Sequence, residues 1–292
     1  MELQRGSSPT LIFLHLLKTG GTTLNTIMER YYTRENSFAT FPNPIHPDGS
    51  MDRFKALTIE QKSRIDFLTG HFGFGIHNHL PRPAEYVTLL RDPVMRVISR
   101  YHHEMRDPRS DLHPLIQKGM TLPEYVRYYA EAAEMDNLQT RMIAGNWQDR
   151  GHGPCTDEML ATAKENLQRH FVLVGVTDQF DAFYLLLRKR FDWPPVYYRR
   201  RNVSRSRLQK KKQFPLDTLR VIEAYNRQDM ALYQHARVLL HESVQAAGPL
   251  FRMQLLTYQV GRLAHQNYWQ MRKYSVREAL RQRIRHEHTL QG

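Results

Sequence analysis

Cysteine is almost missing from this chain: Cys155 stands alone among 292 residues. No intrachain disulfide can form, so the fold must rest on a packed core. Long apolar runs are missing as well, and none approaches the roughly 20 residues that a membrane-spanning helix requires. The opening Met-Glu-Leu-Gln-Arg-Gly-Ser-Ser-Pro lacks the apolar core of a secretory leader. These absences together predict a cytoplasmic protein. Acidic residues are scarce, with 29 Asp and Glu against 42 Lys and Arg, for a formal net charge of +13. Such a balance calls for an anionic partner: nucleic acid, a phosphorylated cofactor, an acidic substrate or a membrane surface. No zinc, homeodomain or RNA-recognition signature accompanies the charge, and nucleic acid is therefore not expected.

The richest stretch is Lys18-Thr19-Gly20-Gly21-Thr22-Thr23-Leu24-Asn25. It follows the apolar run from Thr10 to Leu17, which predicts a buried strand. It leads into Leu24, Ile27, Met28 and Tyr31, whose spacing is that of an amphipathic helix. Strand, small-residue turn and helix aim backbone N–H groups and a positive dipole end at one point. A nucleotide-triphosphate loop places its lysine after the glycines; here Lys18 precedes Gly20 and Gly21, so that spacing fails. An ordinary strand-to-helix turn is the plain alternative. A second element starts at the apolar Tyr86–Leu90 run and continues through Arg91-Asp92-Pro93, where Asp92 caps a helix with proline at its first position. Arg91 at the strand end and Ser99 on the helix suit a phosphate monoester. The alternative is an Arg91–Asp92 ion pair and a surface serine.

Together the two elements resemble sulfotransferases that use 3′-phosphoadenosine 5′-phosphosulfate. The resemblance is strongest to the carbohydrate branch containing the heparan sulfate 2-O- and 6-O-sulfotransferases. That branch's first motif is similar to His15-Leu16-Leu17-Lys18-Thr19-Gly20-Gly21-Thr22-Thr23-Leu24, with Leu17 where proline is usual, and Arg91 and Ser99 keep the separation of its 3′-phosphate pair. Weaker family-like pieces are Asn137–Met142, Val172–Phe180, Asn202-Val203-Ser204 and Asn226 to Tyr233. The resemblance implies a sulfuryl transferase acting on a hydroxyl, on a sugar by preference, with 3′,5′-ADP as product and no metal requirement. It implies Lys18 through Leu24 around the phosphosulfate, Arg91 and Ser99 at the 3′-phosphate, and Arg201, Asn202 and Ser204, with Arg200, in a loop over the nucleotide. His71, in Thr69-Gly70-His71, matches the segment that supplies the catalytic base, with His77 or His79 as alternatives. His15 lies in the first strand and reads as a core histidine. Asn137, Gln139 and Arg141 either line the acceptor cleft or brace it, Arg141 being the choice for an acidic acceptor. His77 is a further substrate candidate. A phosphotransferase and a non-catalytic polyanion-binding protein are the competing readings.

Alternation of strands and helices predicts one α/β domain of the P-loop-like kind over residues 10–245, a mainly parallel sheet with helices on its faces. Residues 1–9 read as a disordered lead, 36–62 mostly as loop, 64–68 as a strand, 199–212 as a mobile basic loop and 216–245 as a helix. Residues 246–292 read as a basic helical extension that packs on the domain, pairs with another subunit or touches a membrane surface. Lys18, His71 and Arg91 each follow a strand candidate, so all three are expected on one rim, where such sheets bind ligands.

Overall fold

The computed structural model describes residues 8–131, 136–145, 153–198 and 214–268. The expectations for the lead before residue 8, for the 199–212 loop with Arg200, Arg201, Asn202 and Ser204, and for the chain beyond 268 fall outside the described residues.

Five strands form one sheet: β1 (Thr10–Leu14), β2 (Ser37–Ala39), β3 (Phe67–Gly70), β4 (Ala84–Leu90) and β5 (Phe171–Val176). Their spatial order is β2-β3-β1-β4-β5, and every neighbouring pair is parallel. This is the expected α/β architecture. β1 lies in the middle, and all five of its residues are buried, which is why it reads as an unbroken apolar run rather than an alternating one. Helices α1 (Gly21–Met28), α2 (Met51–Ala56), α3 (Ile59–Ser63), α4 (Pro93–Glu104), α5 (His113–Gln117), α6 (Leu122–Glu131), α7 (Leu138–Ala144), α8 (Asp157–Arg169), α9 (Phe180–Arg190), α10 (Leu216–Ala224) and α11 (Arg227–Ala246) surround it. A last helix, α12, runs over 249–268.

The main core gathers Ile12, Phe13, Leu14, Leu89, Phe183 and Leu232 around the sheet. A second cluster, with Val94, Ile98, Tyr125 and Ile222, joins α4, α5, α6 and α10 beside the carboxyl ends of the strands. α12 docks through Phe251, Tyr258 and Arg262, and Arg262 Nε lies 2.9 Å from Asp181 of α9.

Two expectations need correcting and one needs filling in. Residues 36–62 lie for the most part outside helix and strand, as expected, but they also hold β2, α2 and the start of α3, elements of three to six residues, too short to show periodicity. α3 is set by a capping box in which Thr58 and Gln61 exchange side-chain and backbone hydrogen bonds. The strand placed at 64–68 lies at Phe67–Gly70, nearer His71. The single helix over 216–245 is two, parted at Tyr225 and Asn226, because the Asn226 side chain is drawn inward to Ile222 O (2.8 Å) and Arg96 (3.2 Å).

Candidate active site

Register puts the strand ends side by side. Leu14 pairs with both Gly70 and Thr88, and Leu90 pairs with Val176. His15, His71, Arg91 and Thr177 are the next residues of their strands, so all four stand on the carboxyl rim, as expected for Lys18, His71 and Arg91.

The loop from His15 to Gly20 bends sharply there. Lys18 (φ 67°) and Gly20 (φ 96°) both take left-handed backbone, which is rare for lysine and routine for glycine. The loop is tied from within and from both sides. Thr19 Oγ1 donates to Leu16 O (2.8 Å), Arg91 Nη1 donates to Lys18 O (2.8 Å), and Thr177 Oγ1 hydrogen-bonds to Thr19 O and also donates to Leu90 O (3.0 Å). Thr177 thus clips the cradle to the end of β4; its place directly after a strand was the signal in the sequence. The four N–H groups that a helix start leaves without helical acceptors fall here on Gly20, Gly21, Thr22 and Thr23. Thr23 N turns back to Gly20 O (3.0 Å), and the Thr22 side chain is exposed at the mouth. Leu24 is fully buried in the core and presents no side chain to the cradle.

Charge around the cradle is mostly positive. The Lys18 ammonium is pushed down to about 8 by burial, with Arg100, Arg91 and Arg106 adding to the shift and Glu104 opposing it. A lysine whose charge is disfavoured by burial and by neighbouring arginines is a candidate anion-binding group. Arg100, His103 and Arg106 lie on or just past α4, whose Ser99 is half-buried; His103 and Arg106 fall four and seven residues beyond it, on the same helical face. Sequence reasoning passed over these residues, although their spacing from Ser99 carried the signal. Arg100 is paired with Glu104, and Glu104 also accepts from Tyr129 Oη (2.6 Å).

His71 is packed against Phe41 (ring centroids 4.7 Å) and His15 (4.4 Å). Its Nδ1 lies 2.6 Å from His15 O; a carbonyl only accepts, so Nδ1 carries the hydrogen and Nε2 keeps its lone pair. Burial holds the imidazole below its ordinary value, the bond to His15 O opposing and Arg100 and Lys18 adding to the shift, which favours the neutral form at pH 7.

The other candidates lie elsewhere. His77 Nδ1 is 2.8 Å from Tyr86 Oη, and its ring stacks on His170. Tyr86 pairs with Phe171 at the start of β5, four residues short of Leu90 and roughly 13 Å down the strand from the rim. His77 is therefore not at the site, and His79 beside it is exposed. Asn137, Gln139 and Arg141 form a buried brace rather than a cleft lining. Asn137 Oδ1 accepts from Asp229 N (2.9 Å), while Gln139 Oε1 accepts from Arg91 N (2.9 Å). Arg141 is locked to Asp136 (2.5 Å) and Gly153 O (2.7 Å), with its charge already neutralised.

A parallel α/β sheet whose central strand delivers a glycine-rich loop, flanked on the rim by an arginine and a histidine, defines a candidate anion site. The family is also shown: the chain belongs to the galactose-3-O-sulfotransferase family, whose model matches residues 4–283. It is 26% identical to galactose-3-O-sulfotransferase 3 of Bos taurus, an alignment covering 82% of this chain and 58% of that protein. It is 27% identical to heparan-sulfate 6-O-sulfotransferase 1 of Homo sapiens, covering 80% and 66%. Compared with the crystal structure of a sulfotransferase from Alicyclobacillus acidocaldarius, it shows 14% identity and a TM-score of 0.39 over 78% of this chain and 99% of the other. The chain spans a little over half the length of the galactose-3-O relatives it matches.

Proposed function

We propose that this chain is a carbohydrate sulfotransferase, moving the sulfuryl group of 3′-phosphoadenosine 5′-phosphosulfate to a sugar hydroxyl with His71 as general base. The observation that carries the reading is the pairing of a lone-pair Nε2 on His71 with a partly buried Lys18, crowded by arginines, on the same rim. Membership of a sulfotransferase family supports the reaction class, and relatives named for galactose and heparan sulfate support a sugar acceptor.

The residues present fit a nucleotide that is anionic at both its 3′ and its 5′ end. Gly21 puts no side chain at the first turn of α1, where the N–H groups of Gly20, Gly21 and Thr22 have no helical acceptor, and Arg91, Arg100 and Arg106 act on Lys18 against the single opposing carboxylate of Glu104. Lys18 with the N–H groups of Gly20 to Thr22 would hold the 5′ end, and Arg91 with Ser99 the 3′-phosphate. When bound, the nucleotide supplies an activated sulfuryl group on a phosphate leaving group. Lys18 stabilises the negative charge that grows on the leaving oxygen, and the fixed N–H dipoles add to it. His71 takes the proton of the attacking hydroxyl at Nε2 while His15 O steadies the opposite nitrogen. Incubation with sulfur-35-labelled donor and a panel of neutral and acidic glycans tests the reading: label in a sugar product is expected, and label reaching none of them, with the nucleotide bound, would overturn it.

A further inference from the structure

His15 is 5% exposed and sits where a core histidine would, yet the Cδ2–Nε2 edge of its ring lies against Gly21 of the cradle. Thr69 Oγ1 donates to Asn25 Oδ1 (3.0 Å), which turns the Asn25 amide nitrogen toward His15 Nδ1 at 3.5 Å. An amide nitrogen only donates, so His15 Nδ1 is the acceptor and Nε2 carries the hydrogen. That hydrogen abuts the first residue of α1: a Cβ on Gly21 would lie 2.0 Å from Cδ2 and 2.1 Å from Nε2 of the His15 ring. No hydrogen-bond partner for Nε2 occurs among the described residues. Phe13 stacks on one side (5.2 Å) and His71 closes another (4.4 Å), so the ring has a single orientation. Burial and the nearby Lys18 and His71 keep it neutral.

We propose that His15, fixed as its Nε2–H tautomer by Asn25 and Thr69, is a donor of the anion cradle and contacts the oxygens of the group transferred. This rests on the sulfuryl-transfer reading above. A neutral donor at this point adds a hydrogen bond to charge developing on the sulfuryl oxygens without placing another cation against Lys18. Gly21 is required because any side chain there would occupy the space of the His15 ring.

Histidine-labelled protein, followed by nitrogen-15 correlation spectroscopy during titration with inorganic sulfate and then 3′,5′-ADP, tests the assignment. An Nε2–H tautomer is expected in the free protein, with its proton moving downfield as sulfate saturates, while the 3′,5′-ADP arm reports whether the nucleotide binds. His15→Phe, which keeps a stacking ring, is expected to lose turnover about a hundredfold, and His15→Gln, which restores an N–H donor, to recover part of it. An Nδ1–H tautomer, an Nε2 proton unmoved at sulfate saturation, or wild-type turnover in His15→Phe would each overturn the proposal. Failure of 3′,5′-ADP to bind the wild-type protein would instead count against the sulfotransferase reading, and the sulfate arm would still decide His15. If His15→Phe does not fold, the spectra of the wild-type protein settle the matter alone.

Discussion

Gln139 holds both backbone polar groups of Arg91: its Oε1 accepts from Arg91 N at 2.9 Å, and its Nε2 donates to Arg91 O at 3.0 Å. Behind it, the Asp229 carboxylate accepts from Gln139 N (3.2 Å) and from Thr140 N (2.8 Å) and Oγ1 (2.9 Å). The guanidinium of Arg96 lies 3.7 Å away. Position at the rim is thus set by a buried network one layer below it. Asp229→Ala would leave Arg96 buried without its counter-ion, and a loss of about 3–5 kcal/mol is expected. Urea unfolding measures it; a loss below about 1 kcal/mol would mean the brace is dispensable.

Lys18 sets stability against binding. Its folded value of about 8 lies below the ordinary 10.5, so the ligand-free protein carries a cost at neutral pH that fades as pH rises from 8 toward 10.5. Lys18→Met is therefore expected to raise the thermal midpoint of the free protein at pH 7 and to remove the further rise given by 3′,5′-ADP. Differential scanning calorimetry of both proteins with and without nucleotide reads both effects, and an unchanged ligand shift in the variant would take Lys18 out of the cradle.

Gly21→Ala is the smallest change that attacks the loop. Its Cβ would fall within 2.1 Å of the His15 ring, which is hemmed in by Phe13, Phe41 and His71 and has nowhere to go. The folded variant should lose most of its 3′,5′-ADP affinity and about a hundredfold or more of its turnover. Wild-type affinity by calorimetry would show that the loop adapts.

Arg91 and Ser99 should differ in a way the structure explains. Ser99→Ala is expected to weaken 3′,5′-ADP but not adenosine 5′-monophosphate, which lacks the 3′-phosphate. Arg91→Ala, which also releases the Lys18 carbonyl, should weaken both, by about 2 kcal/mol more for 3′,5′-ADP. Equal losses for the two nucleotides in both variants would make these residues structural only.

Much of this was legible in the chain. β1 and β4 announce themselves as aliphatic runs because both faces of a central parallel strand are buried, β5 at the sheet edge reads the same way because all but one of its residues are buried, and the residue after each such run marks the rim. Edge strand β2 was hidden: three residues paired to one neighbour need no apolar run. Sequence could name Gln139 and Asn137 but not their duty, since the break at Asn226 that starts α11 near Asp229 depends on Arg96, 130 residues away. His77 misled because a histidine six residues past His71 seems adjacent, yet the chain doubles back along β4 to reach Tyr86. His15 was taken for core because burial and pattern cannot show which edge of a ring faces an anion.

The most direct measurement compares wild-type protein with His71→Ala in two assays: label transfer from sulfur-35 donor to a galactose-terminated disaccharide, and 3′,5′-ADP affinity by calorimetry. Removing a general base should cost about a hundredfold to ten-thousandfold in transfer while leaving nucleotide affinity within about twofold. Because burial holds His71 below its ordinary value, the acid limb of wild-type activity, where Nε2 gains a proton, should lie to the acid side of an ordinary imidazole's. Transfer by His71→Ala at the wild-type rate, with the same acid limb, would contradict the assignment of His71 as the base.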